Sequence, residues 1–124
     1  MPEPAYSIVL EAKKDFLHAA ILGKEDSYET TLGAVTEVAA ACRQRGVDKV
    51  LIEHAIPGRL STLEIWKIAG QLPELYRGIT VAFVVHLTER PGNPEFLETV
   101  ARNRGATGRL FVDVHDAESW LRSV

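Results

Sequence analysis

Apolar and polar positions alternate at the start of the chain and change to helical spacing further on. Ser7 to Ala12 alternates with a period of two and puts Ile8 and Leu10 on one side, which predicts a strand. Lys13-Lys14-Asp15 is a short polar turn, and Phe16 to Gly23 is a second strand. So short a connection makes the pair an antiparallel hairpin. Lys24 to Glu29 is polar. From Thr30 to Arg45, Leu32, Val35, Val38, Ala39 and Cys42 recur at helical spacing, and Gly46 stands where a left-handed cap ends a helix.

The stretch from Val47 to Gln71 reads strand, loop, helix. Lys49 to His54 is dense in Val, Leu and Ile, which predicts burial on both faces and parallel neighbours. Pro57-Gly58 marks the loop, and a second helix runs from Ser61 to about Leu75. Glu64, Lys67, Gln71 and Glu74 form its polar stripe, while Leu63, Ile65, Trp66, Ile68, Ala69 and Leu72 cover an arc wide for a helix packed on one side. Pro73 is expected to perturb the last turn. Thr80 to His86 is the most β-prone run and reads as a central strand. Asn93-Pro94 opens a third helix, as N-cap and first helical position, and it ends at Arg104-Gly105. Arg109 to Val112 is a last strand, and Asp116 is expected to cap a terminal helix that buries Trp120 and Leu121. The predicted order is ββαβαβαβα, an α/β fold. A hairpin followed by right-handed βα crossovers gives one mixed sheet flanked by helices, in a single domain over residues 1–124.

Composition narrows the function classes. Of 124 residues, 46% are hydrophobic and 25% charged, as in ordinary globular domains. Net charge is −3 and the 14 basic residues are scattered; the local pairs Arg43/Arg45 and Arg102/Arg104 fall at predicted helix ends, where they complement the dipole. No basic stripe with aromatics speaks for nucleic acid. The longest uncharged apolar run, Ile79 to Val85, is too short to span a membrane, and the N-terminus lacks a signal-peptide pattern. The lone Cys42 excludes an internal disulfide and suits a reducing compartment, so a cytoplasmic protein is expected.

Candidate chemistry gathers around the predicted strand ends. Ser61-Thr62-Leu63-Glu64 fits a capping box, with Ser61 accepting from the Glu64 N–H and Glu64 reaching back. The competing reading is a phosphorylated Ser61 or Thr62, favoured by the helix dipole and opposed by Glu64. Glu53, His54, His86, Asp113 and His115 fall near strand ends, yet none has local metal-ligand spacing, and ordinary polar loops explain them as well. Pro57-Gly58-Arg59 offers a glycine and a cation before a helix start but not the phosphate-loop pattern, so turn chemistry accounts for it. His18, in the second strand with Phe16, Ala20 and Leu22 on its face, is expected to be satisfied or edge-exposed rather than catalytic. Cys42 reads as a small buried hydrophobe. No cofactor or metal site is expected, and no nucleophile, base and orienting group can be assembled from sequence neighbours.

Three stretches carry a family resemblance: YSIVLEAKKDFLHAAILG, VLIEHAIPGRLSTLEIWKIA and FLETVARNRGATGRLFVDVHDAESWL. With the element order, they resemble the SpoIIAA-like branch of the STAS domains (STAS/SEC14-like). The resemblance implies a protein-interaction and regulatory module. Well-known STAS members antagonise anti-sigma factors and are switched by phosphorylation of a Ser at the start of the second helix. This chain departs from their Asp-Ser-(Ser/Thr)-Gly pattern, because its strand ends Glu53-His54 and the loop is longer.

Two functional readings result. In the first, a non-enzymatic module presents Glu53, His54, Pro57, Gly58, Arg59, Ser61, Thr62 and Trp66 to a protein partner or to a second copy as a homodimer. In the second, a small apolar, lipid-like ligand enters a pocket lined by Leu63, Ile65, Trp66 and Phe83 between the second helix and the sheet. An enzyme using His54 and His86 is the weakest alternative.

Overall fold

The computed structural model describes residues 6–25, 27–56, 61–85 and 107–124, without the side chains of Thr62, Ile65, Trp66, Ala69, Val85 and Thr107. The predicted third helix, His86 and the 57–60 loop therefore lie outside the described residues. Within them the elements are β1 (Tyr6–Ala12), β2 (Leu17–Gly23), α1 (Tyr28–Arg45), β3 (Lys49–Ala55), α2 (Thr62–Leu75), β4 (Thr80–Val85), β5 (Thr107–Phe111) and α3 (Val114–Ser123).

The five strands lie side by side in chain order, β1-β2-β3-β4-β5. β1 pairs antiparallel with β2, and every later pair is parallel. This is the mixed sheet that the alternation predicts, with β3 at its centre and β4 interior beside it. Right-handed crossovers between successive parallel strands put α1 and α2 on one face. There Val35, Val38, Ala39 and Cys42 of α1 meet Leu17, Ala19 and Ile21 of β2 and Val50 and Ile52 of β3, with Leu72, Leu75 and Tyr76 closing the α2 side. α3 covers part of the other face, where Ala117 and Leu121 meet Phe16, Leu51, Ala82 and Val84. Alternate residues of β3 thus serve different cores, which is why its sequence is apolar without a break.

Local chemistry sets the element ends. Ser27, not the expected Thr30, begins α1: its side chain accepts from the Thr30 N–H at 3.1 Å. Gly46 adopts φ 67° and returns its N–H to Arg43, a left-handed conformation that glycine takes without steric cost. Asp113, not Asp116, caps α3: its carboxylate accepts from the Asp116 N–H at 3.1 Å, and Asp116 becomes an acidic first-turn residue. β5 starts at Thr107 rather than Arg109 and ends before Val112, which is exposed. Pro73 sits inside α2, which continues past it to Leu75.

Long-range clasps join β1 and α2 to α1. The Tyr6 hydroxyl donates to Glu37 at 2.6 Å, and its ring lies over Gly33, where an added Cβ would come 3.3 Å from the hydroxyl oxygen. The Tyr76 hydroxyl donates to the Val35 carbonyl at 2.6 Å within the core.

Candidate interaction site

The parallel strands β2, β3 and β4 end together at one rim of the sheet, with Ile21, His54 and Val85 in register. Helices α1 and α2 both begin beyond strand ends of this rim, so their N-terminal dipoles face it. At α2 the capping box is complete. Ser61 Oγ accepts from the Glu64 N–H at 3.1 Å, and the Ser61 N–H donates to Glu64 Oε1 at 2.9 Å. Ser61 is exposed, and the helix start is held by its own side chains rather than by the core. Beyond the cap, Leu63 is 60% exposed and Lys67 and Gln71 are also exposed, while Ile68 is buried. A large apolar side chain thus stands in water beside the charged stripe.

The paired residues at the end of β3 diverge. His54 faces α1, where Nε2 lies 3.3 Å from Thr31 Oγ1 and the ring stacks on Phe83 with centroids 6.2 Å apart. Glu53 faces the α3 side, where its carboxylate lies 3.1 Å from His18 Nε2 across the β2–β3 ladder. The two side chains are therefore divided by the sheet. His18 is half-buried and engaged on that face, as expected for a satisfied histidine.

The other strand-end candidates are also dispersed. Asp113 is committed to capping α3, and exposed His115 lies 3.7 Å from Glu118 on the same helix. Among the described residues no three His, Cys, Asp or Glu side chains gather closely enough to hold a metal ion. Burial pushes the Cys42 thiol up to about 11, away from thiolate chemistry. No described helix is long and apolar enough to cross a membrane. Pro57, Gly58 and Arg59 lie outside the described residues, as do the side chains of Thr62, Ile65 and Trp66, so of the predicted surface the structure places Glu53, His54 and Ser61, and of the predicted pocket Leu63 and Phe83.

Sequence reasoning missed the fastening at the other end of α2. Arg43 donates to the carbonyls of Leu75 at 2.6 Å and Arg77 at 3.3 Å. A cation at the end of one helix thus serves the open carbonyls of another. Arg43 was visible only as a charge complementing its own helix, because the approach of α2 depends on tertiary packing.

No protein-family description matches the chain, and no curated protein sequence does. Solved structures do. An anti-sigma factor antagonist from Mycobacterium paratuberculosis superposes with a TM-score of 0.63 at 16% identity, covering 98% of this chain and 99% of that one. An uncharacterised protein with a SpoIIAA-like fold from Shewanella loihica superposes with a TM-score of 0.54, also at 16% identity, covering 98% of each chain. Sequential strand order, a leading antiparallel hairpin and agreement along nearly the whole length together establish that this chain has the SpoIIAA-like fold.

Proposed function

We propose that the chain is a STAS-like regulatory module that binds a protein partner through the start of α2 and the loop leading into it. The observation that carries this reading is the exposed Leu63 beside a self-capped helix start, on a fold shared end to end with an anti-sigma factor antagonist. An apolar side chain left in water on a rigid helix is a suitable anchor for a partner's pocket. Ser61, Leu63 and Lys67 form the described part of the surface. Pro57, Gly58, Arg59, Thr62 and Trp66 belong to it by their place in the chain, and His54 supports it from below. Glu53, bound to His18 on the opposite face, contributes through the backbone of β3.

The module works by binding, without chemistry of its own. Its partner is a regulatory protein of the anti-sigma class, the class named by the antagonist that shares the fold. The apolar-ligand reading has less support: Leu63 stands in water while Phe83 packs against His54. Ser61 acts as a cap rather than a phosphorylation switch, since its hydroxyl accepts from the Glu64 N–H and the neighbouring Glu64 carboxylate would repel a phosphate.

The test is nuclear magnetic resonance of the isotope-labelled chain, titrated with anti-sigma factors encoded in the same genome. Amide shifts confined to Ser61 through Gln71, lost in Leu63→Lys, are expected. Failure of every such protein to bind, or shifts centred on another surface, overturns the reading. Native mass spectrometry of the purified chain checks the alternative, which requires a copurified apolar small molecule.

A further inference from the structure

The two edges of the sheet are built differently. β5 is five residues long, contains Gly108, and carries Arg109 over the ring of Phe111. Short length, glycine and charge are ordinary means of keeping an edge from pairing. β1, YSIVLEA, is seven residues long, has neither Pro nor Gly, and has Glu11 as its one charge. Among the described residues no strand pairs with its outer side. Val9 is 55% exposed at its midpoint, and Ile8 and Leu10 are half-buried.

From these features we infer that β1 pairs antiparallel with β1 of a second copy, joining two sheets across a twofold axis at Val9. This goes beyond the proposed function, which uses the start of α2.

The hydrogen-bond register fixes the details. Lys13 N–H donates to the Phe16 carbonyl at 2.9 Å, and this pair lies on the same register as Glu11 with His18 and Val9 with Ala20. The odd-numbered residues of β1 therefore spend their main-chain groups on β2. The even-numbered residues Tyr6, Ile8, Leu10 and Ala12 turn theirs outward, with nothing paired to them on that side among the described residues.

In an antiparallel pair centred on Val9 the outward residues meet each other, Ile8 against Leu10 and Tyr6 against Ala12, each pair exchanging two main-chain bonds. The whole length of β1 is then used. Val9 meets its own copy in a non-hydrogen-bonded position, where side chains come closest. Glu11 falls opposite Ser7, whose hydroxyl can donate to the carboxylate, so like charges do not face one another. Shifting the centre to Ile8 leaves Ala12 without a partner inside β1, so the strand is used over less of its length. Shifting it to Leu10 places Glu11 opposite Val9, which leaves a charge against an apolar side chain. The strand is complementary to itself in one register.

Sedimentation equilibrium of the full chain over a wide concentration range tests the inference. The wild type is expected to dimerise. Val9→Lys, at an exposed position, is expected to raise the dimer dissociation constant about tenfold or more while leaving the melting temperature of the monomer unchanged. Mixing Val9→Lys with Val9→Glu is expected to restore association. Val9→Cys under mild oxidation is expected to form a disulfide-linked dimer, since opposed residues in that position are within bridging distance; Ser7→Cys alone is not, and buried Cys42 does not compete. A chain that stays monomeric throughout, or a dimer indifferent to Val9→Lys, overturns the inference.

Discussion

The two ends of α2 are secured by different means. Its C-terminal end is tied into the body of the molecule. Tyr76 is only 2% exposed and binds the Val35 carbonyl, while Arg43 reaches over from α1 to the Leu75 and Arg77 carbonyls. Its N-terminal end supplies its own fastening, with Ser61 and Glu64 satisfying each other's main-chain groups and Leu63 in water. One end is specified by tertiary structure and the other by local sequence. A helix so arranged can present its first turn to a partner without putting the core at risk, because losing the local cap leaves the anchor intact.

The sharpest way to break this contrast is at the anchor. Tyr76→Ala is expected to cost about 3–5 kcal/mol in urea unfolding, because a core aromatic and its hydrogen bond vanish together. Tyr76→Phe isolates the hydroxyl and is expected to cost about 1 kcal/mol. A loss for Tyr76→Ala no greater than that for Tyr76→Phe would mean that the ring contributes nothing to the anchor.

Alkaline pH probes the same anchor. Burial raises the Tyr76 phenol far above the ordinary tyrosine range, with Cys42 adding to the effect and Arg43 opposing it. Tyr6, through its bond to Glu37 and then through desolvation, is pushed from 10.0 up to about 12. Both native phenols hold their protons more tightly than unfolded ones. Their contribution to stability is therefore complete below the unfolded value and is lost as pH rises, through about 12 for Tyr6. Melting temperature measured upward from neutral pH is expected to fall once the unfolded phenols ionise, and to fall less steeply in Tyr76→Phe.

At the N-terminal end of α2 the effects are smaller. Ser61→Ala is expected to cost about 1 kcal/mol, the usual loss for an N-cap. Amide hydrogen exchange should quicken over the first turn of α2 and remain unchanged around Tyr76. Leu63→Lys comes last, with a stability change within about 0.5 kcal/mol, since it replaces an exposed side chain. Its effect is expected in partner binding alone, and a large thermal shift in this variant would place Leu63 in the core after all.

This contrast also explains how much could be read in advance. The hairpin, the parallel order, the Gly46 cap and the Ser61 box are each written in residues a few positions apart, and each was legible. The same local logic misplaced the cap of α3. Asp113 and Asp116 are both suitable caps, and the choice depends on where β5 releases the chain. The clasp of Tyr6 on Glu37 and Gly33, the reach of Arg43 to α2, and the Glu53–His18 pair join residues more than 25 positions apart. None has a local signature. The candidate site was legible as a strand-to-helix junction, but the division of Glu53 from His54 by the sheet follows only once the faces of β3 are assigned.

The order of the strands has a consequence for how the molecule is made. Each ladder joins a segment to the one just synthesised, so no later strand has to be threaded between two already in place. The sheet can grow outward while the chain is still leaving the ribosome, every new strand finding a ready template on its predecessor. Shortening the chain from its C-terminal end would first remove α3 and uncover Leu51, Ala82 and Val84, and would only then strip strands from one margin of the sheet in turn.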